Sequence, residues 1–204
     1  GKNGNNLYIK TPVGVVVRDL KTNKLIADMN KSGKTAKVVG GTKKTLTSIT
    51  IPNTIKANKT TYKVTEIADK AFEGYKKATK LKIGKNVKLI GNYAFKGCIK
   101  LKTVTGGSGL VVIGDGAFRG CSVLSSITLN SKVASIGDEA FYNCAKLAKI
   151  QIKTAKLTED VVGKNSFKNI TKKAVIECPK KMLKKYKKIL KSRGVTAKAS
   201  FITK

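Results

Sequence analysis

Five of the six phenylalanines in this 204-residue chain stand in one phase. Phe72, Phe95, Phe118 and Phe141 follow each other at intervals of 23 residues, and Phe167 comes 26 residues later. The frame around each Phe also returns: Ile67-Ala-Asp-Lys-Ala-Phe72, Ile90-Gly-Asn-Tyr-Ala-Phe95, Ile113-Gly-Asp-Gly-Ala-Phe118 and Ile136-Gly-Asp-Glu-Ala-Phe141. Three residues beyond each Phe stand Tyr75, Cys98, Cys121 and Cys144, and six beyond stand Ala78, Leu101, Leu124 and Leu147. Nine beyond come Leu81, Val104, Ile127 and Ile150. A fixed period of about 20–29 residues with recurring apolar positions marks a solenoid. One coil of this length cannot bury its own apolar side chains, but stacked coils can, each apolar phase forming a ladder through a shared core.

The frame I-G-x-x-A-F-x-x-C-x-x-L-x-x-I-x-L resembles the BspA-like leucine-rich repeats of bacterial surface proteins, also described from treponemes. The resemblance covers residues 46–170, and the flanks fit it too: Ile49-Thr-Ile-Pro52 ahead of Tyr62-Lys-Val-Thr-Glu-Ile67, and a lysine-rich helix near the end. It implies a leucine-rich-repeat fold and a secreted or cell-surface protein acting as an adhesion or protein-binding scaffold. The sequence departs from the pattern in three places. Tyr75 replaces the first Cys, Gly106 stands where Ile83, Leu129 and Ile152 stand elsewhere, and the last unit is degraded to Val162-Gly-Lys-Asn-Ser-Phe167.

Read in order, the chain opens with a segment rich in Val, Ile and Thr that lacks the period. Strands are predicted at Leu7–Ile9, Val13–Arg18, Lys24–Met29, Ala36–Val39 and Leu46–Ile51, and Ala57–Thr60 reads as a hairpin turn. Each repeat is expected to hold two short strands and one helical turn. Asp69, Asn92, Asp115 and Asp138 precede the Ala-Phe step, which reads as a ladder of helix N-caps. A calcium ladder is the alternative, poor in carboxylates. After Pro179, the apolar residues Met182, Leu183, Tyr186, Ile189 and Leu190 fall on one helical face, with Gly194 as the C-cap. The opposite face carries Lys180, Lys181, Lys184, Lys185, Lys187, Lys188 and Lys191. The expected architecture is an α/β repeat solenoid of short strands and helical turns. It has a β-rich N-terminal cap (1–57), the repeats (58–173) and a helical C-terminal cap (174–204).

Composition limits the chemistry. With no histidine, the commonest general base is absent, and so are the Ser/His and Cys/His nucleophile pairs. Thr105-Gly-Gly-Ser-Gly109 lacks the Lys-Ser/Thr of a phosphate-binding loop. The cysteines recur at repeat intervals rather than at zinc spacing, and stacked cysteines could be buried thiols or a disulfide. No catalytic residue, metal or cofactor is therefore expected. The formal net charge is +32, carried almost wholly by lysine because arginine occurs only at Arg18, Arg119 and Arg193. Such a chain attracts polyanions, yet the same lysines would also serve as a solvated coat that blunts strand edges.

Strand alternation supplies the candidate site. If Val104 and its equivalents point inward, then Lys80, Lys82, Thr103, Thr105, Ser126, Thr128, Lys149 and Gln151 point outward on a small parallel sheet. The expected partner is a host or bacterial surface protein. The alternative partner is an anionic polymer, such as wall teichoic acid, a glycosaminoglycan or, behind these, nucleic acid, held by the seven lysines of the C-terminal helix. A monomer without a transmembrane segment is expected, at an extracellular or cell-surface location, although no signal peptide opens the sequence.

Overall fold

Equal phases of successive coils lie directly on one another. The rings of Phe72, Phe95, Phe118, Phe141 and Phe167 form an unbroken column, with neighbouring centroids 5.3–5.4 Å apart and planes within 12° of parallel. All five are at most 1% exposed. The computed structural model describes residues 2–3, 6–11, 14–19, 25–57 and 59–203, with side chains described from residue 25 onward. Beside the rings runs a column of thiols. The Sγ of Cys98, Cys121 and Cys144 each donates to the carbonyl of the preceding coil's Phe, at 3.2 Å in every case. All four cysteines are free and buried. Burial pushes the Cys144 thiol up to about 12 and raises Cys121 well above the usual value.

The strands are β1 (Lys2–Asn3), β2 (Asn6–Thr11), β3 (Gly14–Asp19), β4 (Leu25–Asn30), β5 (Thr35–Gly41), β6 (Ser48–Thr50), β7 (Thr54–Ala57), β8 (Thr60–Ile67), β9 (Lys80–Ile83), β10 (Leu89–Ile90), β11 (Thr103–Gly106), β12 (Val112–Ile113), β13 (Ser126–Leu129), β14 (Ser135–Ile136), β15 (Lys149–Ile152), β16 (Val175–Cys178) and β17 (Ser200–Thr203). One wall is a continuous sheet in the order β1-β2-β3-β4-β5-β8-β10-β12-β14, with β7 also paired to β8. Strands β1 to β5 run antiparallel, and β5 then pairs in parallel with β8, so the N-terminal strands extend the solenoid's own sheet edgewise. The predicted N-terminal strands overlap β2 to β6, although the one expected at Leu46–Ile51 is confined to Ser48–Thr50; Val13 and Lys24 lie outside the described residues. The turn expected at Ala57–Thr60 joins β7 to β8; Asn58 lies outside the described residues.

The helical turn expected in each repeat is a correction. No coil contains a helix; the α-helix of the described residues is α1 (Leu183–Ser192), preceded by a 3-10 turn at Lys180–Met182. The cause is in the backbone. Lys70, Tyr93, Gly116, Glu139 and Asn165 have positive φ, and so do Gly74, Gly97, Gly120, Asn143 and Asn169. Two left-handed residues flank each Ala-Phe step, and a right-handed helix cannot propagate through them. The amides there turn towards the next coil instead: Tyr93, Phe95 and Gly97 donate to the carbonyls of Asp115, Ala117 and Arg119 at 2.7–2.8 Å.

The N-cap reading of the Asp/Asn phase is corrected for the same reason. Oδ1 of Asp69 accepts from the amide of Asn92 at 2.7 Å, Asn92 from Asp115 at 2.8 Å, Asp115 from Asp138 at 2.8 Å, and Asp138 from Lys164 at 2.6 Å. Each side chain caps the coil that follows, so the row staples coils together. Among the described residues, no three His, Cys, Asp or Glu side chains converge as a metal site. Gly91, Gly114 and Gly137 lie under this staple, and a Cβ at any of them would collide with the amide and Oδ1 of the preceding Asp or Asn.

Two tyrosines fasten the ends. Tyr75 occupies the first Cys phase because its longer side chain reaches β5: its hydroxyl donates to the Gly41 carbonyl at 2.9 Å and accepts from the Gly41 amide at 3.1 Å. At the other end, the Tyr186 hydroxyl of α1 donates to the Thr154 carbonyl at 2.9 Å and accepts from the Leu157 amide at 3.3 Å. Helix α1 buries Tyr186, Ile189 and Leu190 against the core. It ends at left-handed Gly194, with Gly194 and Val195 amides donating to Lys191 and Leu190 carbonyls.

Candidate functional site

The second wall carries the candidate residues, and its strands run Lys-Leu-Lys-Ile, Thr-Val-Thr-Gly, Ser-Ile-Thr-Leu and Lys-Ile-Gln-Ile. Alternation holds in β9, β13 and β15, where Leu81, Ile83, Ile127, Leu129, Ile150 and Ile152 are buried, and fails in β11, where Val104 is only partly buried and Gly106 is exposed. Lys80, Lys82, Thr105 and Lys149 are exposed, and Thr103, Ser126, Thr128 and Gln151 are half-buried. Parallel registers set Thr103 beside Lys80, Thr105 beside Lys82, Ser126 beside Lys149 and Thr128 beside Gln151.

The single four-coil sheet expected here is not formed. The wall is two sheets, β11-β9-β6 and β13-β15-β16-β17, and no ladder links β11 to β13. The eight candidate residues are therefore brought together as two groups of four, with a cleft between them. Gly106 explains the break. It is left-handed (φ +83°), and a Cβ there would strike the Ile83 carbonyl oxygen. The coil keeps its ordinary bond to the one before it, the Gly107 amide donating to the Ile83 carbonyl at 2.9 Å as the Lys153 amide does to Leu129 at 2.8 Å. Side chains bridge the ends of the gap: Ser125 Oγ donates to the Lys102 carbonyl at 3.3 Å, and Asn130 Nδ2 donates to the Gly106 and Gly107 carbonyls at 3.1 and 3.2 Å.

The missing side chain leaves a cavity of about 280 Å³. Ile83, Leu110, Phe118 and Ile127 line its interior, with Val104, Thr105, Thr128, Asn130 and Lys153 also on its lining. Val104 adds to the opening because it is a methylene shorter than the Leu or Ile of its phase, and it is only partly buried. The departure at Gly106 was visible in the sequence. The cavity was not, because it depends on β11 and β13 failing to pair.

The lysines proposed for a polymer lie elsewhere. Lys180, Lys181, Lys184, Lys185, Lys187, Lys188 and Lys191 are all exposed. The ion pairs of the described residues join Lys37 to Glu66, Lys96 to Glu73, Arg119 to Glu139 and Arg193 to Glu159, and none uses a lysine of α1 or of the strand face. Two of the three arginines serve the fold. Arg119 also lies over the Tyr142 ring at 5.1 Å, and Arg193 Nε donates to the Val162 carbonyl at 2.6 Å, tying α1 to the last coil. No helix of the described residues is long and apolar enough to cross a membrane.

Comparison with known proteins adds one feature the sequence reading missed. A family model described as GTP1/OBG matches residues 1–85. The GTPase Obg of Clostridium kluyveri is 61% identical over 33 residues, which are 16% of this chain and 8% of that protein. The chain thus spans a small fraction of the curated relative it matches, and this likeness carries no whole-protein activity with it. Two solved structures share the fold. A leucine rich cell surface protein from Faecalibacterium prausnitzii matches with a TM-score of 0.65 and 24% identity, over 97% of this chain and 50% of that one. The T. pallidum leucine rich repeat protein matches with a TM-score of 0.52 and 20% identity, over 85% and 95% of the respective chains. A family model for the BspA type leucine rich repeat region matches residues 65–193 in six copies. That is well over half of the chain, and the chain belongs to the BspA type leucine-rich-repeat family.

Proposed function

We propose that this chain is a non-catalytic, protein-binding scaffold of a bacterial surface, acting as a monomer outside the cell, whose strand face meets a host or bacterial surface protein. In this reading the repeats (58–173) form the binding body, closed by the β-rich segment 1–57 and by the helical segment 174–204. The observation that carries it is the strand face: its inward residues complete the core, while Thr103, Thr105, Ser126, Thr128 and the flanking Lys80, Lys82, Lys149 and Gln151 stand at or near the surface. Family membership supports the scaffold role, and the fold relative from F. prausnitzii is a cell surface protein. A second reading rests on the seven exposed lysines of segment 180–191, two in the 3-10 turn and five in α1, which fit a teichoic-acid-like or glycosaminoglycan polymer.

A protein and glycan binding array run at low and high salt separates the two. Protein hits that persist at high salt support the face, since screening weakens exposed charge contacts far more than shape-dependent ones. Replacing Thr103, Thr105, Ser126 and Thr128 together by glutamate should abolish those hits while the fold is kept. Unchanged binding by a folded variant overturns the strand-face reading. Hits confined to anionic polymers and lost with salt favour the helix.

A further inference from the structure

The cleft between β11 and β13 lies in the middle of the proposed face, and its chemistry differs from its surroundings. Around it the surface is hydroxyl and ammonium, while its walls set the buried side chains of Ile83, Leu110, Phe118 and Ile127 beside polar groups of Thr105, Thr128, Asn130 and Lys153. Interfaces concentrate their energy where a large side chain of one partner fills a desolvated pocket of the other. No aromatic side chain stands on the four strands β9, β11, β13 and β15. This protein therefore contributes the pocket, and the anchor must come from the partner.

Size and charge narrow the partner. Small-molecule sites occupy roughly 300–1,000 Å³, and this cavity of about 280 Å³ lies just below that range, at the scale of a single anchoring side chain. None of the four strands carries an acid, and the outward positions on either side of the cleft include Lys80, Lys82 and Lys149. Lys153, on the cavity's lining, is exposed and takes part in none of the described ion pairs. The net charge of +32 extends the same sign beyond the cleft. We infer that the cleft is a docking pocket for one leucine- or phenylalanine-sized side chain carried on an acidic segment of another protein. This inference rests on the scaffold reading and specifies the partner that its face selects.

The test uses the whole chain and three blocked pentapeptides, Asp-Asp-Xaa-Asp-Asp with Phe, Leu or Ala at the centre, titrated to millimolar concentration against methyl-labelled protein. The Phe and Leu peptides should shift the methyl signals of Val104, Leu110, Ile113 and Ile127 saturably, and the Ala peptide should bind about tenfold more weakly or worse, the ratio expected for about 1.4 kcal/mol. Equal shifts with all three peptides would show attraction by charge alone, and no shift of the pocket methyls would show a closed cavity; either overturns the proposal. Val104→Phe, which fills the opening from its rim, should abolish the Phe-peptide response, and Val104→Ile should weaken it in part if the larger change disturbs folding. Lys153→Glu should weaken the Phe peptide further than the Ala peptide loses. If the glutamate variant of the face loses a protein partner while Val104→Phe retains it, the scaffold reading stands and the pocket falls. If both variants retain it, both fall.

Discussion

Single atoms report how closely each phase of the repeat is specified. Ala71, Ala94, Ala117 and Ala140 share a phase, and the last coil places Ser166 there. Its Oγ is buried and, alone among the buried side-chain nitrogen and oxygen atoms of the described residues, has no hydrogen-bond partner. An unsatisfied buried hydroxyl costs free energy that a methyl group does not. Ser166→Ala should therefore stabilise the protein by about 1 kcal/mol, read as a rise in the urea midpoint; a fall would mean the hydroxyl has a partner. The thiol column gives a second expectation at this scale. Burial raises Cys121 and Cys144 above the usual thiol value of 9.0, Cys144 to about 12. Below that usual value the thiols are protonated in both folded and unfolded chains, and their contribution to stability is fully present. Above it the unfolded chain releases the protons and the folded one does not, so stability should fall as pH rises towards about 12. A thiol reagent at neutral pH should leave the native cysteines unmodified and label all four on denaturation. Rapid labelling of the native column would contradict its burial.

At the scale of elements, the ends of the solenoid depend on a few polar contacts placed on an apolar interface. The Tyr186 hydroxyl satisfies the Leu157 amide and the Thr154 carbonyl where α1 meets the last coils. Tyr186→Phe keeps the ring and removes both bonds, and should cost about 1–3 kcal/mol, with hydrogen exchange rising first in α1 and at Leu157. Uniform exchange across the chain would show that α1 unfolds only with the whole. The sequence made the coils legible because Phe, Cys, Leu and Ile recur at 23 residues, and burial at those phases follows from stacking alone. It did not reveal how the Ala-Phe corner is built. Asp or Asn before a short apolar step fits a helix N-cap and an inter-coil staple equally well, and only the left-handed backbone at Tyr93 or Glu139 decides between them. The strand face was legible through alternation in β9, β13 and β15, but not in β11, where Val104 is only partly buried and Gly106 is exposed. The division of the face was not legible either, since a glycine in a strand indicates close approach without saying from which side.

Across the whole molecule, neighbouring coils share one core, so a defect in the middle is felt at both ends. Phe118 has a ring above and a ring below it, and Phe118→Ala should cost roughly 3–5 kcal/mol, a large part of the roughly 5–15 kcal/mol that holds a typical domain together. A melting temperature within about a degree of the parent, where such a loss shifts it by many degrees, would show that the column contributes little. The break between β11 and β13 acts at this scale too. One wall, the ring column and the Asp/Asn staple all run past it unbroken, whereas the opposite wall holds there only through Ser125, Asn130 and a few neighbours. A rod with a spine on one side and a slit on the other is not equally stiff in all directions. Under tension along its axis, as on a tether held at one end and gripped at the other, it would yield first by bending the slit open. The seam proposed to receive a partner's side chain would then also be where mechanical load concentrates, and a side chain seated in it would alter how the rod responds to being pulled.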